Sequence, residues 1–142
     1  MQVIETKTAT YSMLEKDILL VGMKEDAVID VPEVEENYYA GIKLTGGKRF
    51  GALIDGRKYV TVTPEAKKYS SQPAMTKDTI AHAIVITSLA SRLIANFLTK
   101  VFNQNKNVVM KLFTDYDAAL NWLREKVKEE ESSKLSNCVE NP

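Results

Sequence analysis

Apolar and β-branched positions alternate over residues 3–14 and again over residues 18–23, with Glu15-Lys16-Asp17 as a polar break between them. A period of two with such a break predicts a β-hairpin. The period then changes. Asp30-Val31-Pro32-Glu33 combines an N-cap acid, a proline in the first turn and an acid three positions on, while Val31, Val34, Tyr38 and Ile42 recur on one helical face. A helix is predicted to about Leu44, stopped by Gly46-Gly47, which can adopt the positive φ of a helix end.

Residues 49–55 (RFGALID) form a short apolar run that predicts a strand, in which Gly51 leaves room for the close approach of another backbone. Thr63-Pro64-Glu65 opens a short helix with Thr63 as its N-cap, and Gln72-Pro73 interrupts it. Residues 81–87 (AHAIVIT) are almost continuously apolar, the pattern of a central strand covered on both faces. A helix is predicted over residues 88–103, with Leu89, Ala90, Leu93, Ile94, Phe97, Leu98, Val101 and Phe102 as its apolar set. That set spans roughly 220° of the helical wheel, about twice the width one core contact uses. Residues 109–113 predict the last strand. Thr114 and Asp117 read as a capping box for a final helix whose inner stripe is Tyr116, Leu120, Leu123 and Val127. After Lys128, three glutamates and SSKLSNCVENP leave little to bury, so residues 1–130 read as a single domain and 131–142 as a disordered tail.

The order β-β-α-β-α-β-α-β-α predicts an α/β fold: a mixed, mostly parallel sheet of four to five strands with right-handed crossovers, an N-terminal β-hairpin, and helices packed on it. Composition agrees with one globular domain, at 142 residues with 44% hydrophobic and 27% charged. Nineteen basic and nineteen acidic residues cancel. The broad attraction that nucleic acids or anionic membranes exploit is therefore not expected. No apolar stretch approaches the ~18 residues of a membrane span, and the first ten residues carry no leader pattern, which predicts a cytoplasmic protein. One cysteine, Cys138, and one histidine, His82, leave no set for a structural zinc site, and no cofactor is expected.

The run from Ala52-Leu53-Ile54-Asp55 through Thr63-Pro64-Glu65-Ala66, AIVITSLASRLIANF and KLFTDYDAALNWL resembles the small bacterial STAS-like (SpoIIAA-like) domains of the anti-sigma-factor antagonist type. Phe113-Thr114-Asp115 followed by Ala118-Ala119-Leu120 and Trp122-Leu123 is the most recognisable piece of that likeness. The resemblance implies a non-enzymatic role in protein interaction or signalling. It also implies a phosphorylated serine in a D-S-S-G-type motif at a helix start. That motif is missing here, and Thr63 is the nearest hydroxyl, with N-cap work of its own. Related lipid-carrying folds of the Sec14 type imply, by analogy, a small hydrophobic ligand.

Ligands of open α/β sheets favour the carboxyl ends of parallel strands. In this chain those positions are Asp55 and Arg57 after one strand and Thr87 and Ser88 after the next, with Arg92 a turn later. These five residues are the candidate ligand site if the two strands are neighbours; the competing reading is that Ser88 caps its helix while Asp55 and Arg57 brace their loop. His82, within an apolar strand and beside no nucleophile motif, reads as a core histidine. Gly46-Gly47-Lys48-Arg49 lacks phosphate-loop spacing and reads as a turn, and Glu33, Glu35 and Glu36 as a solvated helix start. No residues pair a nucleophile with a base. The expectation is a STAS-like interaction domain, homodimeric through the helix of residues 89–102, with a small-ligand carrier or sensor as the alternative.

Overall fold

In the computed structural model, residues 2–58, 60–87 and 109–140 are described, with side chains to residue 135. The helix expected over residues 88–103, and with it Ser88, Arg92 and the expected dimer surface, lies outside the described residues.

The first apolar run is two strands rather than one. β1 (Val3–Glu5) and β2 (Ala9–Glu15) pair antiparallel around a turn at Thr6-Lys7-Thr8. Both threonines are β-branched and suit a strand, yet their hydroxyls make the turn. The Thr6 Oγ1 accepts from the Thr8 and Ala9 amides at 3.3 and 3.0 Å and donates to Asn37 Oδ1 at 2.7 Å. Asn37 Nδ2 donates to Thr8 Oγ1 at 3.0 Å, so a helix residue fixes the turn from outside. Local hydroxyl bonds have here outcompeted ladder pairing.

The predicted hairpin follows: β2 pairs antiparallel with β3 (Ile18–Met23) across Lys16-Asp17, where Asp17 takes a left-handed φ of 64°. A short β4 (Ala27–Ile29) leads into α1 (Val31–Thr45). The capping box between Asp30 and Glu33 is formed, and Gly46 ends the helix at φ 67°. β5 (Phe50–Asp55), β6 (Val60–Val62), α2 (Pro64–Ser70), α3 (Pro73–Thr76), β7 (Thr79–Val85), β8 (Met110–Phe113) and α4 (Tyr116–Glu140) complete the described elements.

The main sheet has six strands in the order β1-β2-β3-β5-β7-β8, more than the four or five expected. It is mixed: β3, β5, β7 and β8 are joined by three parallel pairings, and the two N-terminal pairings are antiparallel. β4 and β6 form a separate parallel pair. Three residues each, with no clear alternation, they left no periodic signal. The pair brings two helix starts together, since Thr63 donates its amide to Ile29 O at 3.0 Å and its hydroxyl to the Asp30 carboxylate at 2.9 Å.

The two faces of the sheet are covered differently. On one face, Ile18, Leu53, Ala81, Ala83 and Val85 pack against Ala119, Leu123 and Val127 of α4. Gly51 supports this contact: a Cβ there would lie 3.2 Å from Leu123 Cδ2, so its openness admits a helix side chain rather than a second backbone. On the other face, Ala9, Tyr11, Leu19, Val21, Phe50 and Ala52 meet α1 at Ala40.

α4 differs from expectation at both ends. Its cap is Asp115, whose carboxylate accepts from the Ala118 amide at 3.0 Å, rather than Thr114. It also runs on to Glu140, where a disordered tail was expected from residue 131. Residues 131–135 are exposed and bury no apolar face, so backbone bonds and a loose Lys134–Glu130 contact of 3.9 Å support the helix there.

Leu123 is wholly buried at the α4–sheet contact. Leu123→Ala is expected to lower the unfolding free energy by about 3 kcal/mol, read as a shift of the urea midpoint. A loss under about 1 kcal/mol would show that α4 is not part of the core.

Candidate functional site

The strands that carry the expected site residues are neighbours. Asp55 pairs with Val85 in the β5–β7 register, and the Gly56 amide donates to Val85 O at 2.9 Å. Asp55 and Arg57 come together, but on each other. Arg57 forks onto the Asp55 carboxylate through Nε at 2.8 Å and a terminal nitrogen at 2.7 Å, and its amide adds a contact of 3.2 Å. This pairing holds the Asp55 carboxyl below its ordinary range, chiefly through the Arg57 side-chain hydrogen bonds. The guanidinium also lies 5.8 Å from the centre of the Tyr116 ring, at the start of α4. The pair thus braces a loop against a helix. Thr87 is exposed two residues past the end of β7, while Ser88 and Arg92 lie outside the described residues.

Thr63 has its hydroxyl engaged twice. It accepts from the Ala66 amide at 3.1 Å as the α2 cap and donates to Asp30. A phosphate there would displace both contacts and stand beside a carboxylate, which opposes it electrostatically.

The larger feature lies on the α1 face of the sheet. A cavity of about 310 Å³ is floored by β3, β5 and β7, walled by α1, and bordered by Ile29 of β4, Val60 and Val62 of β6, Ser70 of α2 and Met75 of α3. Strand parity explains its position. Asp55 follows Leu53 and Gly51 on the α4 face, whereas Ala52, Ile54, His82 and Ile84 alternate onto the other face and form the cavity floor. The cavity and the Asp55–Arg57 pair therefore sit on opposite sides of one sheet.

Its lining is overwhelmingly aliphatic and aromatic, and several of its polar side chains are engaged elsewhere. Asn37 holds the Thr6–Thr8 turn, Tyr38 donates to Asp78 at 3.0 Å, and Ser70 donates to the Lys67 carbonyl at 3.0 Å. Burial raises the Tyr11 hydroxyl far above its ordinary range, with Glu36 adding to it. Burial, then the bond to Asp78, raises Tyr38. Desolvation pushes the His82 imidazole down to about 4, so it is neutral at physiological pH. Lys58, exposed at the rim, is the single charged residue among the described lining residues. Among the described residues, no group of three or more His, Cys, Asp or Glu side chains is placed to hold a metal, and no helix is long and apolar enough to cross a membrane.

Reading for polar residues at strand ends missed this cavity, because its signal was apolar. The even-numbered positions of β5 and β7, namely Ala52, Ile54, His82 and Ile84, alternate onto its floor.

A mixed α/β domain, with α4 packed on one sheet face and α1 beside an apolar cavity on the other, is thus the class of protein defined here. Over residues 12–127 the chain matches the family described as "Domain of unknown function (DUF7793)", and it belongs to that family. No curated protein and no solved structure matches it.

The depressed His82 titration has a signed consequence. The unfolded chain takes up a proton near pH 6.5, while the folded domain resists doing so until about 4. Stability at neutral pH is unaffected by this group and falls as pH drops through that window, by at most about 3 kcal/mol. Urea titrations from pH 7.5 to 4 are expected to show a shallower loss for His82→Gln than for the wild type. Parallel pH profiles would refute this.

Proposed function

We propose that this domain binds a small apolar molecule in the cavity between α1 and the β3–β5–β7 floor, as a carrier or sensor that performs no chemistry on it. The observation that carries the reading is the cavity itself: about 310 Å³, walled by both sheets and three helices. Its volume falls at the lower end of the range of small-molecule sites, and its lining has their character of many apolar walls and few polar groups. Engagement of Asn37, Tyr38 and Ser70 with other partners supports binding over catalysis. A general base must reach the proton it removes, and these polar side chains are already committed to structural bonds.

The interaction role implied by the STAS resemblance is a separate proposal, supported by the apolar width expected of residues 89–102. It predicts a homodimer in solution that Leu98→Gln with Phe102→Gln would convert to folded monomer, read by sedimentation velocity. A wild-type monomer at high micromolar concentration would refute it.

For the ligand reading, titration with the neutral apolar dye N-phenyl-1-naphthylamine is expected to give saturable fluorescence enhancement. Met75→Trp, which adds bulk at the wall, is expected to weaken binding at least about tenfold while the circular dichroism spectrum is kept. Ala52→Met on the floor gives an independent block should the first variant repack. Absence of saturable binding, or unchanged affinity in both folded variants, would overturn the proposal.

A further inference from the structure

We infer that the cavity's ligand is an anionic amphiphile of the alkyl carboxylate class, its chain on the apolar floor and its head group at Lys58. The inference rests on the cavity being a binding site, and it adds the identity of the head group.

Gly56, Lys58 and Val60 all line the cavity, and Lys58, the charged one among them, is exposed, so its side chain stands at the solvent edge of the lining. Lys58 feels the Asp55 carboxylate, but Arg57 already occupies both Asp55 oxygens at 2.8 and 2.7 Å. Among the described residues no carboxylate lies within ion-pair distance of Lys58, and none lines the cavity. The acid bonded to a wall residue, Asp78, accepts the Tyr38 hydroxyl at 3.0 Å. Tyr11 and Tyr38 are held in their neutral forms, and burial keeps His82 uncharged. The described lining therefore offers one charge, positive, at the solvent edge of an apolar enclosure.

That arrangement discriminates among ligands by sign. An anionic head can stay partly hydrated at the rim while its chain leaves water, and no charge has to be buried unpaired. A cationic head would meet Lys58 with repulsion and find no acid among the described lining residues. A neutral head would gain the apolar contact alone. Because Lys58 is exposed, its preference is modest and sensitive to salt.

The test compares decanoate with 1-decanol by displacement of N-phenyl-1-naphthylamine from the full chain at pH 7.5, in wild type, Lys58→Gln and Lys58→Glu. Wild type is expected to bind decanoate about fivefold more tightly than decanol, the scale of a rim ion pair. Lys58→Gln should make the two equal, Lys58→Glu should reverse the order, and high salt should close the wild-type gap. Equal wild-type affinities, or a decanoate preference that persists in Lys58→Gln, would overturn the head-group assignment and leave the cavity reading standing. No binding of dye, decanoate or decanol to folded protein would overturn both, as would occupation of the space by residues 88–108 of this chain or by a second copy.

Discussion

The seating of Leu123 in the notch of β5 is the contact on which the rest of the domain depends. Leu123 is fully buried, and Gly51 beneath it leaves its side chain room that a Cβ would close to 3.2 Å. Around that point Leu53, Ala81, Ala83 and Val85 are completely buried, and the two alanines and the glycine keep this face low enough for α4 to lie directly on the strands. Close packing gains dispersion and excludes water at once. With one face covered by α4, the parallel strands β3, β5 and β7 are held as a rigid floor, and the opposite face carries both the core contacts with α1 and the cavity.

That asymmetry sorts what could be read in the sequence from what could not. The helix at Val31–Thr45 was legible because its start and stop are chemical signals confined to a few residues, namely Asp30, Glu33 and Gly46. The hairpin turn at Lys16-Asp17 and the interior place of β7, between β5 and β8, were legible for similar local reasons. The break between β1 and β2 was not, because it is made by Asn37, thirty-one residues from Thr6 in the chain. The β4–β6 pair was not, because three-residue strands are too short to show a period. Asp115 displaced Thr114 as the α4 cap within a stretch where both are good capping residues, and only the backbone path decides between them.

The candidate site follows the same division. That β5 and β7 be neighbours was the condition on which the expected site depended, and the structure meets it, with Asp55 at the carboxyl end of β5. For Asp55 and Arg57 the competing reading, that they brace their own loop, is the one the structure has: Arg57 is engaged by Asp55. The deeper miss was one of parity. Asp55 shares its side of the strand with Leu53, which α4 covers, while Ile54 and His82 belong to the hollow side. Polar residues at the strand ends drew attention to one face. The cavity lies on the other, among residues that composition alone would class as core.

The cavity of about 310 Å³ opens to solvent, so the void penalty of an enclosed, dry space does not apply to it. What its apolar lining forgoes is the burial that closer packing of the same side chains would give. On the proposed ligand reading, a molecule in the cavity would cover apolar surface that the sheet and α1 leave open, and its binding free energy would add to the stability of the fold. Lys58 would contribute little to that gain because it stays in water, and its part would be to select which molecule binds. Affinity and selectivity would then be divided between the apolar floor and the charged rim of a single cavity.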